Sequence, residues 1–144
     1  MHHESMSNAT DHQQMIHERG AAVMPFDLNQ TLHHFESMPD GGLETVTAND
    51  PANQAQRTLI QQHLAIEAQR FQRGDFTDPA ALHGADMPGL AVLSAAGTRL
   101  RVAYNDLPNG GQIRFTTQDA TTLTAVHDWF TAQLSEHGRD AVAH

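Results

Sequence analysis

TLHHFESMPDGGLETVTA, residues 31–48, and LRVAYNDLPNGGQIRFTT, residues 100–117, decide the fold. The two stretches lie 69 positions apart, and Pro39-Asp40-Gly41-Gly42 in one matches Pro108-Asn109-Gly110-Gly111 in the other. Asp-Gly and Asn-Gly are strong hairpin signals, because both central positions of the favoured two-residue turn need positive φ. Centred there, the first hairpin pairs residues whose numbers sum to 81 and the second those summing to 219. Phe35 is then expected opposite Val46, and Tyr104 opposite Phe115, so each hairpin carries a bulky apolar pair on one face.

Period-two alternation assigns the faces. Leu100, Val102, Tyr104, Ile113 and Phe115 point one way. The offset maps His33 onto Val102 and Glu44 onto Ile113, so an imidazole and a carboxylate are expected where the second copy is apolar. His34 maps onto Ala103 and points to the other face. Local violations of this kind concentrate at functional sites.

Each hairpin leads into a helix. Asp50 and Asp119 are the N-cap candidates, with Pro51 at a first helical position. The first helix is expected over 51–73, stopped by Gly74, with an apolar stripe of Ile60, Leu64, Ala68 and Phe71 and with His63 beside it. The last is expected over 120–137, stopped by Gly138, with a stripe of Leu123, Val126, Phe130 and Leu134. Residues 75–85 read as loop, and 88–96 as one or two helical turns. The sum is an α+β domain over 24–144. It consists of duplicated ββα units (30–74 and 98–138), with a four-stranded, mostly antiparallel sheet and two helices packed on one face. Residues 1–23 form a His/Met-rich N-terminal arm, in which Ser7 or Asn8 caps a short helix ending near Arg19.

The 144 residues fit one ordinary domain. Eight Lys plus Arg stand against 17 Asp plus Glu, a formal charge of −9. That balance argues against nucleic acid and against an anionic membrane surface as partners. No apolar run approaches the ~20 residues of a membrane span, and the first twenty residues hold no secretory h-region, so a cytoplasmic location is the expectation. Cysteine is absent, which removes disulfides and thiolate chemistry. The unusual feature is 11 histidines accompanied by six methionines; full protonation of those histidines would carry the charge to +2. Such a load points to metal chemistry or pH sensing.

The candidate metal ligands are His33, His63, His83, His127, His137 and Met87. His127 and His137 fall within about 40° of the last helix's apolar stripe. They are ten residues apart, roughly 15 Å along the axis, so one ion takes only one of them. His83 sits in the inter-unit loop, and Met87 follows with a soft thioether. Separately, Met1-His2-His3 with a free amine offers the square-planar nitrogen set that Cu(II) or Ni(II) prefers. His12, Met15 and His17 add imidazole and thioether groups to the same arm. No H-E-x-x-H or E-x-x-H motif occurs, and Ser94 and Ser135 have no nucleophile elbow around them. Acid–base pairs are available from His33 with Glu44, or from His83 with Asp75 or Asp78.

Met24-x-Phe26-Asp27, Thr31-x-His33-His34-Phe35, Gly74-Asp75-Phe76-x-x-Pro79, His83-Gly84 with Pro88-Gly89, and His127-Asp128-Trp129 with Gln133 and His137 occur in that order. Over about Met15 to His137 the set resembles a family of small, mostly uncharacterised bacterial proteins, some with His/Met-rich N-terminal extensions. The resemblance implies a connection to copper or another late transition metal.

Three readings follow. The first is a metal-binding protein with copper preferred. The second is a haem or non-haem metal oxidoreductase, with zinc or iron as other ions and with any haem lying against Phe71, Phe76 and Trp129. The third is a metal-free binding module that completes its sheet as a homodimer.

Overall fold

A computed structural model describes residues 30–79, 86–137 and 141–143, with side chains over 30–79 and 86–134. The expected arm and His83 lie outside the described residues, and so does the side chain of His137. Strands β1 (Thr31–Met38) and β2 (Gly41–Ala48) form the first hairpin and helix α1 (Gln54–Gln72) follows it. A short helix α2 (Leu90–Ala95) precedes strands β3 (Arg101–Leu107) and β4 (Gly110–Thr116). Helix α3 (Ala120–His137) and strand β5 (Ala141–Ala143) close the chain. The sheet order is β3-β4-β2-β1-β5. Its first four strands are antiparallel, and β5 pairs parallel with β1. The α+β class and the four-stranded antiparallel core are as the repeat implies. The three-residue β5 was not foreseen, since so short an apolar stretch after a helix carries no periodicity.

Both hairpins turn one residue earlier than the Asp-Gly and Asn-Gly rule predicts. Met38 pairs with Gly41 and Leu107 with Gly110, so the turns are Pro39-Asp40 and Pro108-Asn109. Proline is the reason: its ring fixes φ near −65°, which suits the first central turn position and excludes the positive φ of the alternative. Phe35 therefore faces Glu44, and Tyr104 faces Ile113. The register moves by two residues in both hairpins, so every side chain keeps its expected face. His33 is buried on the helix side, at 2% exposure, as the repeat requires.

The two hairpins join through β2 and β4, and this junction explains the glycine pairs. A Cβ on Gly41 would overlap the carbonyl of Phe115, and one on Gly110 would overlap the carbonyl of Val46. The offset of 69 converts one contact into the other. The same exchange relates Ala48 N–H donating to Asn109 O with Thr117 N–H donating to Asp40 O, both at 2.9 Å. Glu44 opposite Ile113 lies on the pseudo-two-fold axis between the units.

Sequence dictates the helix ends unequally. Asp119 caps α3 as expected, accepting from Thr122 N–H at 2.9 Å. In the first unit Asp50 instead accepts from Ala52 N–H in a local turn. Asn53 takes over the cap from Asp50, accepting from Gln56 N–H at 3.2 Å. The helix consequently starts at Gln54 rather than at Pro51. Gly74 terminates it at φ +80°, a left-handed position that a Cβ disfavours. Residues 77–79, expected as loop, form a helical turn.

Both helices pack on one face of the sheet, α1 over β3 and β4 and α3 over β1 and β2. Between them lies an aromatic cluster. Phe71 and Phe76 stack at 4.7 Å, and the Trp129 ring stands edge-on to Phe71, Phe76 and Phe115 at 5.8, 5.6 and 5.5 Å. Each such buried ring contributes roughly 1.5–3 kcal/mol by burial. At the outer edge Gln72 donates to Leu100 O and accepts from Val102 N–H, the bonds a further strand would make. This side chain blunts the β3 edge against a second copy.

Gly110→Ala is expected to destabilise the fold by about 3 kcal/mol or more, because strand β2 must retreat. Gly97→Ala, where nothing lies within 4 Å, costs only the left-handed φ, about 1 kcal/mol. Urea unfolding followed by fluorescence of Trp129, the sole tryptophan, measures both.

Candidate functional site

The direction of the helices sets what meets between them. Early α1 side chains reach the β3–β4 turn, with Arg57 donating to Pro108 O and Gln61 to Leu107 O and Gly110 O. The last turn of α1 reaches the start of β3 through Gln72. Helix α3 starts at that second end, next to Thr117, whose hydroxyl donates to Arg99 O. The helices therefore run antiparallel and touch at Phe71 and Trp129. One turn back along α1 is Glu67, and one turn on along α3 is Gln133. On β1 the step from Phe35, whose ring meets Phe130 at 5.4 Å, leads in the same direction to His33. The interior is thus divided into an aromatic half and a polar half.

Glu67 is the central group of the polar half. It is 4% exposed, and among the described residues no N–H or hydroxyl donates to either carboxyl oxygen. Burial pushes its pKa up to about 9; the Asp78 carboxyl adds to this, Arg70 opposes it, and Glu44 adds a smaller repulsion. Asp78 raises it both by hydrogen bonding and by its charge, and is itself held by Arg70 at 2.9 Å. His63, one turn before Glu67, places Nε2 3.6 Å from Oε1. Burial lowers the pKa of His63, with Asp78 opposing and Arg70 reinforcing. At neutral pH the pair is an imidazole beside a protonated carboxyl, not an ion pair. Glu44 approaches from the sheet, half-buried, and burial pushes it up to about 7. Trp129 Nε1 and Gln133 Nε2 are buried donors that meet no hydrogen-bond acceptor among the described residues.

The expected ligands do not converge as a set. His127 lies at the opposite end, where Nε2–H donates to Met38 O at 2.8 Å and Gly41 O at 3.0 Å. Its ring ties α3 to the β1–β2 turn, and its Nε2 is taken up by the backbone. Met87 is part of the apolar core at 4% exposure. His33 and His63 both belong to the polar half. His137 ends α3 at that side by its backbone position. Among the described residues no three His, Cys, Asp or Glu side chains group as an ion cage. Phe71, Phe76 and Trp129 pack on one another and leave no slot for a porphyrin between them. Among the described residues no helix is long and apolar enough to cross a membrane.

Glu67 and Arg70 were missed in the sequence, Asp78 was read only as a partner for His83, and Gln133 only as part of the resemblance. Glu67 had a signal: it stands between Leu64 and Phe71 on the apolar stripe, where a carboxylate breaks the pattern. Gln133 had the same signal on α3, one turn after Trp129. In comparisons with protein-family models, curated proteins and solved structures, nothing matches this chain.

Two outcomes follow for the metal-free protein. The folded-state pKa values of Glu67 and Glu44 lie above the ordinary carboxyl value of 4.5, so the folded chain holds protons that the unfolded chain releases. Stability is then greatest below that value and falls as pH rises toward about 7 for Glu44 and about 9 for Glu67. Each group contributes a slope of at most about 1.4 kcal/mol per pH unit. Glu67→Gln keeps the neutral shape and removes its share, so urea titrations at a series of pH values should show a shallower decline. His127→Ala should lower stability by about 1–3 kcal/mol by leaving two turn carbonyls unmet.

Proposed function

We propose that the protein binds a divalent transition metal ion, copper(II) in first place and zinc in second, at the His63–Glu67 pair. The observation that carries this reading is the spacing of a half-buried and a buried donor. A Nε2–Oε1 distance of 3.6 Å is too long for a hydrogen bond, and among the described residues no N–H or hydroxyl donates to either oxygen of Glu67, the Arg70 guanidinium standing 4.0 Å from Oε1. Donors placed ~2.0–2.2 Å from one ion stand roughly 3–3.5 Å apart, so a small closure brings both into reach. The neutral imidazole that burial favours is the form that ligates. The metal would replace the Glu67 proton, and uptake would release it.

An imidazole–carboxylate pair suits copper(II), zinc or ferrous iron by donor type, and the Irving–Williams order favours copper(II) among them. Two protein donors leave coordination positions for solvent or for an exogenous ligand.

Metal analysis of untagged protein after equilibration with one equivalent of copper or zinc tests this, in a His3→Ala background so that His3 does not compete for the ion. About one ion per chain is expected. His63→Ala or Glu67→Gln should each weaken binding at least about tenfold. His127→Ala should leave affinity unchanged. Protein that retains no metal, or whose affinity is indifferent to His63 and Glu67, would overturn the proposal.

A further inference from the structure

The repeat gives an internal reference: where the two units differ, one of them has been altered for a purpose of its own. One such difference concerns arginine. Arg99, Arg101 and Arg114 of the second unit correspond, at the offset of 69, to Gln30, Leu32 and Thr45 of the first. Three cations have appeared at one end of the second unit in a chain whose net charge is −9 and which contains no lysine.

They gather around a cleft of about 630 Å³ where β3 begins and β4 ends. Thr98, Arg99, Arg101, Thr116 and Gln118 line it, and so do Asp40 and Asp119. The two carboxylates are already occupied. Arg114 donates to both oxygens of Asp40 at 3.3 Å. Asp119 accepts from the hydroxyl and N–H of Thr122 in the α3 cap, which holds its carboxyl below the ordinary range, with Arg99 adding to the effect. Arg99 spends one nitrogen on Ala95 O and keeps the rest of its fork. The Arg101 side chain is exposed and makes no ion pair or hydrogen bond with any described residue. The cleft thus keeps a net positive charge after its own pairs are made, with threonine hydroxyls and an amide beside it.

We propose that this cleft binds a small oxyanion, a phosphate or carboxylate group, through Arg101 with Arg99, Thr98 and Thr116 around it. A planar guanidinium grips such a group by two parallel N–H bonds, and the hydroxyls complete the remaining lone pairs. The outward end of the second unit is then a ligand site that the first unit lacks, distinct in place and chemistry from the His63–Glu67 pair.

Titration of the full chain with inorganic phosphate at low ionic strength, followed by backbone amide chemical shifts, tests it. Saturable shifts confined to residues around 98–101 and 116–119 are expected, with millimolar affinity. Arg101→Ala should weaken it at least about fivefold, the loss of one charge-assisted pair. Arg73→Ala, an exposed arginine outside the cleft, should leave it unchanged. Succinate in place of phosphate decides the source: saturation by one but not the other assigns the oxyanion. No saturation by either, or equal loss in both variants, would overturn the proposal.

Discussion

The antiparallel pairing of β2 with β4 is the constraint on which the rest of the molecule depends. It joins two ββα units that share a turn chemistry, and it does so across a pseudo-two-fold axis through Glu44 and Ile113. The approach is close enough that Gly41 and Gly110 meet the carbonyls of Phe115 and Val46 without room for a Cβ. Strands at that spacing direct the two following helices onto one face and in opposite directions. Antiparallel helices on a common face bring Phe71 of one onto Trp129 of the other, and the aromatic cluster grows from that contact. A second pair of glycines sets the depth: a Cβ on Gly42 would stand 2.5 Å from the Phe130 ring, and one on Gly111 would stand 2.8 Å from the Tyr104 ring.

This arrangement accounts for what was legible in the sequence. The offset between the Pro-x-Gly-Gly turns carries the topology, because a hairpin, a helix and their repeat are local statements. Faces were legible for the same reason, and they survived a register error of two residues since side chains alternate with period two. The register itself was misread because a dipeptide rule was applied where proline, one residue earlier, restricts the backbone more strongly. The cap at Asp50 was misread because two acceptors, Asp50 and Asn53, compete within four residues, and sequence does not rank them.

The polar half of the interior was only partly legible. His33 and Glu44 stood out because their partners in the second unit are apolar. Glu67 and Gln133 did not, because the helix stripes fail to align at the same offset and the comparison was lost there. What brings these groups together is the level at which two helices cross, a long-range quantity that no local pattern encodes. His127 shows the opposite case. Its position on the helix was read correctly, yet its ring serves the β1–β2 turn 89 residues away.

A buried carboxyl such as Glu67, met by no N–H or hydroxyl donor among the described residues, lowers stability by roughly 1–3 kcal/mol. The cost falls in the first unit, while Phe115, Trp129 and Phe130 of the second supply half of the rings that offset it. A single ββα unit could not sustain His33, Glu44 and Glu67 in its interior, since it would lack the facing helix that excludes water. Duplication therefore does more than enlarge the core. It lets one unit bear the apolar load while the other departs from its pattern on the inside. The unit with the stronger core departs only at its outer end, where arginine requires no desolvation. Departures from the repeat, rather than the histidine count, mark where chemistry has been added to this fold.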